Sequence, residues 1–155
     1  MKKELQDKLF SKYPEIFRER KLPMSKTCMC WGIDTGDGWY DLIENLCKNI
    51  EEIKEEFPNI DIIATQVKEK FGGLRFYYRT EIKNNIDRDN LNDEYKEMED
   101  KLDKAVEKAE QKSYKTCEVC GSTKNVSQTK GWISTLCDKC MDKRRRKYES
   151  ENKEK

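Results

Sequence analysis

Seven cysteines and no histidine define the chemistry open to this 155-residue chain. Four of the cysteines form two pairs, Cys117-Glu-Val-Cys120 and Cys137-Asp-Lys-Cys140, with 16 residues between them. In each pair a tight turn lets two sulfurs converge on one ion, and an intervening hairpin brings the second pair round to complete a tetrahedron. The spacing predicts a structural Zn(II) held by Cys117, Cys120, Cys137 and Cys140. Zinc would hold the segment together, because about thirty residues carry too little apolar mass to fold alone. Four protein ligands leave no open position, so the metal would be a scaffold and not a catalyst. Redox dithiols would need no second Cys-x2-Cys at ribbon distance. Lack of histidine also removes Ser-His-Asp and Cys-His nucleophile pairs. Catalysis would have to run on carboxylates, Tyr, Lys or Cys, and no spacing of Asp34, Asp37 or Asp41 specifies a reaction. Of the other cysteines, Cys47 is expected in the core, while Cys28 and Cys30 carry no assigned role.

A second constellation flanks Gly72-Gly73. The runs Ile62–Val67 and Leu74–Tyr78 on either side predict a hairpin with the two glycines as its turn. Phe71 would then pair with Leu74, Lys70 with Arg75, Glu69 with Phe76 and Lys68 with Tyr77. Alternation puts Val67, Phe71, Leu74, Phe76 and Tyr78 on a core face. Gln66, Lys68, Lys70, Arg75, Tyr77 and Arg79 fall on the other. Like charges set opposite each other oppose folding, so these cations suit a phosphate, with Tyr77 free to stack on a base. The same face could equally be a solvated surface whose charges are paired by nearby acids. Glu69 resists the scheme, because it falls among the apolar residues.

The elements that must position these groups are legible from periodicity. Trp39, Leu42, Ile43, Leu46, Cys47, Ile50 and Ile53 form one helical stripe, ended by Phe57-Pro58. The Gly36-Asp37-Gly38 turn precedes it. That terminus could hold an anion, but Asp37 sits where an N-cap belongs, and capping is the adopted reading. Tyr40 and Asp41 leave the stripe and could line a cleft. A helix over 3–13, an extended segment at 28–33 and a second long helix over 94–113 complete the set. The fold class expected is α+β: two main amphipathic helices packed on a small antiparallel sheet, with an appended C-terminal zinc ribbon. The chain divides into an α+β domain over 1–112, with a flexible loop at 81–93, a ribbon over 113–142 and a disordered charged tail over 143–155.

Lys and Arg total 32 against 31 Asp and Glu, a net charge of +1, which argues against general capture of polyanions. Charge is segregated, however: residues 81–112 are net acidic and 143–155 net basic. No apolar run is long enough for a membrane span or signal segment, so a reducing cytoplasm is expected.

Three stretches together resemble a group of small, mostly uncharacterised phage-encoded proteins: Trp31-Gly-Ile-Asp-Thr-Gly-Asp-Gly-Trp-Tyr-Asp-Leu-Ile43, Gln66-Val-Lys-Glu-Lys-Phe-Gly-Gly-Leu-Arg-Phe-Tyr77 and the terminal Cys-x2-Cys pairs. Many of those proteins end in a similar ribbon, often with a His in the last ligand pair where this chain has Cys140. The resemblance implies an accessory phage protein in the host cytoplasm, with countering host defence as a role open to it, and supplies no activity.

The functional expectation is a non-catalytic zinc-binding protein that holds a phosphate-bearing ligand, nucleotide or nucleic acid, at Gln66, Lys68, Lys70, Arg75, Tyr77 and Arg79, with Tyr40 and Asp41 nearby. The alternative is an adaptor that binds a host or phage protein through the ribbon and the charged helix. An enzyme without histidine ranks last.

Overall fold

The computed structural model describes residues 1–83 and 92–151. Helix α1 (Lys3–Lys12) is followed by two short 3-10 turns, strand β1 (Ile33–Asp34), helix α2 (Tyr40–Glu56), strands β2 (Ile60–Lys70) and β3 (Gly73–Ile82), and helix α3 (Asn92–Ser113). A two-stranded hairpin, β4 (Val126–Gln128) with β5 (Thr135–Cys137), and helix α4 (Asp138–Glu151) complete the chain. The fold is α+β. Its central strand is β2, flanked by antiparallel β3 and by β1, a short parallel addition.

One face of the sheet and the stripes of α2 and α3 make the core. Ile43, Leu46, Cys47, Ile50 and Ile53 of α2 meet Ile60, Ile62, Val67, Leu74 and Phe76 of the sheet and Met98 and Leu102 of α3, all buried. Fully burying each such aliphatic side chain contributes about 1.5–3 kcal/mol. The two helices run antiparallel. Lys101 in the middle of α3 pairs with Glu56 at the end of α2, and the Trp39 indole N–H before α2 donates to the Thr116 carbonyl beyond α3 at 2.9 Å. No helix among the described residues is long and apolar enough to cross a membrane.

The hairpin register differs from the expected one. Lys70 pairs with Gly73, Glu69 with Leu74, Lys68 with Arg75 and Val67 with Phe76; a bulge at Thr65 then sets Ala64 opposite Tyr78. The turn residues are therefore Phe71 and Gly72, at φ 54° and 75°. Positive φ at both is what a primed two-residue turn requires, at a cost of about 1–2 kcal/mol for the non-glycine. Phe71 is thus no core residue; it is 65% exposed. Gly73 is the first residue of β3, and the Tyr114 ring occupies the space a Cβ there would fill. Glu69, out of place in the simpler register, accepts the Gly72 amide and closes the turn.

Other expectations are corrected. Residues 28–31 form a 3-10 turn and not an extended segment, capped by the Thr27 hydroxyl, which accepts the Met29 amide at 3.1 Å. Asp37 does not cap α2. Its carboxylate instead accepts the Lys2 amide at 2.7 Å and pairs with the Lys2 ammonium at 3.1 Å, which ties the N-terminus down. The segment expected as a loop at 81–93 is shorter at both ends: Ile82 pairs with Ile60 in the sheet and Asn92 begins α3, while 84–91 lie outside the described residues. From 143 to 151 the chain continues α4 and is not a disordered tail. Its first turn is anchored by Cys140, and Arg145–Asp142 and Lys147–Glu151 pairs support its surface.

Candidate metal centre and ligand face

The four cysteines expected to bind metal converge. Their sulfurs all lie within 4.8 Å of one another, and Sγ of Cys120 and Cys137 are 3.6 Å apart. A tetrahedral site with Zn–S bonds of about 2.3 Å has sulfur–sulfur edges of roughly 3.8 Å, so the donor set fits one four-coordinate ion. Each pair sits in a structured knuckle. At the first, Gly121 donates to the Cys117 carbonyl and Cys117 to the Ser122 carbonyl, both at 2.8 Å, with Gly121 at φ 74°. At the second, Cys137 ends β5 and Cys140 lies in the first turn of α4. The Cys140 backbone N–H aimed at Cys137 lowers that thiol to about 7, whereas burial raises Cys140. Cys117 and Cys137 are buried; Cys120 is exposed. Cys47 lies in the core, its thiol pushed up by burial and so inert. Cys28 and Cys30 do not join the cluster, and among the described residues no second such group of ligands forms.

The ribbon is seated on the core through the glycines of both sequence motifs. Gly36 donates to Oε1 of Glu118 at 2.9 Å and Gly38 to its carbonyl at 2.8 Å. A Cβ on Gly38 would meet the backbone of Cys117, Cys120 and Gly121, well inside van der Waals distance. On the other side Thr135 donates its hydroxyl to the Gly72 carbonyl, and Ile133 and Gln128 pack over the same glycine. Burial pushes the Glu118 carboxyl above its ordinary range, against the Gly36 amide that favours its charged form. Spacing alone did not reveal this docking, although the presence of glycines in three short clusters was its trace.

The residues expected to hold a ligand are divided among several places. Gln66, Lys68, Lys70, Arg75, Tyr77 and Arg79 do share the outer face of the sheet. Arg79, however, pairs with buried Glu19 at 2.7 Å and with Glu81, under the turn formed by Arg18–Lys21. Arg75 donates to the Tyr114 hydroxyl at 3.0 Å and the Leu74 carbonyl at 2.7 Å, and approaches Glu110 at 3.7 Å. Both arginines serve the fold. Lys68 and Lys70 have no acidic partner among the described residues; their ammoniums lie 6.0 Å from the Tyr77 ring and 5.3 Å from the Phe71 ring. Gln66 and Tyr77 line a cavity of about 520 Å³ whose other wall is the Met24–Cys28 loop. Beyond Lys70, a cavity of about 360 Å³ opens between Phe71 and the ribbon residues Trp132 and Ile133. Trp132, missed in the sequence as a surface residue, is 77% exposed. Tyr40 and Asp41 lie apart from this face: Tyr40 lines a hollow against α1, and Asp41 lines the groove between α2 and α3.

Fold and site together define an α+β domain carrying a four-cysteine ribbon that could hold a metal ion. Compared with protein-family models, curated proteins and solved structures, the chain matches none.

Proposed function

We propose that this is a non-catalytic binding module, its ribbon held by Zn(II), that takes a phosphate-bearing ligand in the form of a single nucleic-acid strand along the outer face of β2. One observation carries the reading. Two cavities, each with an exposed aromatic side chain, lie at either end of a run bridged by Lys68 and Lys70. Bases stack on aromatic rings at about 1–3 kcal/mol each without sequence preference, and unpaired ammoniums between them contact the backbone. Gln66 to Lys70 spans about 13 Å of strand, enough to follow more than a single phosphate. The metal contributes by holding the β4–β5 hairpin, and with it Trp132, against the hairpin tip. Resemblance to phage proteins would set this binding in an infected cell, where host nucleotide signals used in defence are ligands of the same chemistry.

Fluorescence anisotropy with a labelled pyrimidine oligonucleotide, as DNA and as RNA, tests the reading. Binding should be saturable and salt-dependent, lost in Lys68→Glu/Lys70→Glu and weakened in Trp132→Ala. No binding, or unchanged binding by the double variant, refutes it. The adaptor alternative draws on the same exposed Trp132 and on Trp31, 70% exposed; it would show as a protein partner retained at high salt.

A further inference from the structure

The groove between α2 and α3 is unused by either the metal centre or the sheet face. It measures about 580 Å³, within the range of small-molecule sites. Its floor is apolar, made by Leu42 and Leu46 of α2 and Ala105 and Ala109 of α3. One rim carries Lys108, Lys112 and Lys115, spaced along a single face of α3 and its extension; the other carries Asp41, Asn45 and Asn49 of α2. Thr116, Gly121 and Thr123 close the end toward the ribbon.

The charge pattern across the two helices singles this region out. At the far end of the same antiparallel pair, Lys101 of α3 is neutralised by Glu56 of α2 and by Glu97. Where the groove opens, α2 replaces the acid with two amides at successive turns, Asn45 and Asn49. None of the three rim lysines forms an ion pair among the described residues, and Asp41 is the one acid among the residues that line the groove. Two uncompensated positive charges above an apolar trough match a ligand with a planar body and an anionic end. Amides on the opposite rim supply both donors and acceptors, which suits the polar edge of a base.

We propose that this groove is a separate site for a nucleoside phosphate, with Lys108 and Lys112 on the phosphates, the base over Leu42 and Ala105, and its edge toward Asn49. It does not depend on the strand-binding reading of the sheet face. Calorimetric titration of the full zinc-loaded chain with ADP, and in parallel with inorganic pyrophosphate, tests it. ADP should bind saturably and more tightly than pyrophosphate. Lys108→Gln/Lys112→Gln should weaken ADP by about tenfold or more, as loss of hydrogen bonds from charged donors requires, and leave oligonucleotide binding unchanged. Asn45→Asp/Asn49→Asp, which restores acids opposite the lysines, should abolish ADP binding without lowering the melting temperature. Absence of ADP binding overturns the proposal. So does equal affinity for pyrophosphate, or ADP binding that survives both groove variants and is lost in Lys68→Glu/Lys70→Glu.

Discussion

Gly38, at the entrance to α2, donates its amide to the carbonyl of Glu118, inside the first cysteine knuckle, at 2.8 Å. Eighty residues of sequence separate the two, yet the approach to α2 rests on the backbone of the first cysteine knuckle. Gly36 and Gly38 lack side chains because the knuckle occupies that space. The ribbon is therefore structurally continuous with the core it was expected merely to follow.

Gly38→Ala should be among the most damaging small substitutions in the chain. The added methyl would collide with the carbonyl of Cys117 and the amides of Cys120 and Gly121, none of which can rotate away. A loss of about 2–4 kcal/mol in urea unfolding is expected, in the range of strained or overpacked sites. Gly131→Ala provides the contrast. Nothing lies within 4 Å there, so only its φ of 77° opposes the change, at about 1 kcal/mol. Equal effects would mean that the knuckle does not press on Gly38.

Metal removal should be felt outside the ribbon. Elemental analysis is expected to return one zinc per chain, lost in Cys120→Ser. With the metal stripped by a chelator, the Gly36 and Gly38 amides, both held by Glu118, should exchange hydrogen much faster. Ile50, deep in the α2 stripe, should stay protected. Unchanged exchange at Gly36 and Gly38 would separate the metal from the docking.

Periodicity exposed what burial dictates and little else. The α2 stripe from Trp39 to Ile53 was readable because seven apolar positions recur at helical spacing, and the metal ligands because cysteine pairs have few other uses at that distance. The turn register was not readable. Gly72-Gly73 reads locally as the turn, but the strand pairing ends at Lys70–Gly73, and Gly73 sits against the Tyr114 ring, about forty residues away, where no side chain would fit. Asp37 misled for the same reason: a capping residue by position, it is claimed by Lys2 through a tertiary contact that no local pattern encodes. The outer face was correctly grouped by alternation, whereas the acids that neutralise Arg79 and Arg75 come from the Arg18–Lys21 turn and from α3.

Leu46→Asp tests the stripe itself. Leu46 is 1% exposed, and a carboxylate there would have no cation within the core. Destabilisation of more than about 4 kcal/mol is expected, a large share of the roughly 5–15 kcal/mol by which a domain of this size is stable. A melting temperature near that of the parent would show that α2 presents a different face.

Asp37 gives stability an acid limit. The Lys2 amide, followed by the Lys2 ammonium and the chain's amino terminus, holds its carboxyl below the ordinary carboxylate range. A group depressed in the folded state stabilises it fully above its unfolded pKa, and that contribution disappears as pH falls through the folded value. Asp37→Asn should therefore lower the melting temperature at pH 7, and the gap between variant and parent should start to narrow below about pH 4 and close beneath the lowered folded value. A gap independent of pH would assign the effect to packing and not to charge.

Charge reversals on the outer face of the sheet should separate fold from function, although Lys70 and Arg75 look equivalent in sequence. Arg75 is fixed by the Tyr114 hydroxyl, the Leu74 carbonyl and Glu110. Replacing it with Glu removes those donors and sets two carboxylates near each other, at a cost of about 1–3 kcal/mol. Among the described residues Lys70 has no acidic partner and lies over the exposed Phe71 ring, where reversal should change stability by no more than about 0.5 kcal/mol. In oligonucleotide binding the order inverts. Measured at a temperature where both variants are folded, Lys70→Glu should lose affinity several-fold if the strand follows the proposed path, because no acid pairs with its ammonium among the described residues. Arg75→Glu should bind nearly as the parent does, because its guanidinium is already occupied. If Arg75→Glu abolishes binding while remaining fully folded, the arginine is a ligand contact and the path of the strand crosses β3 instead of following β2.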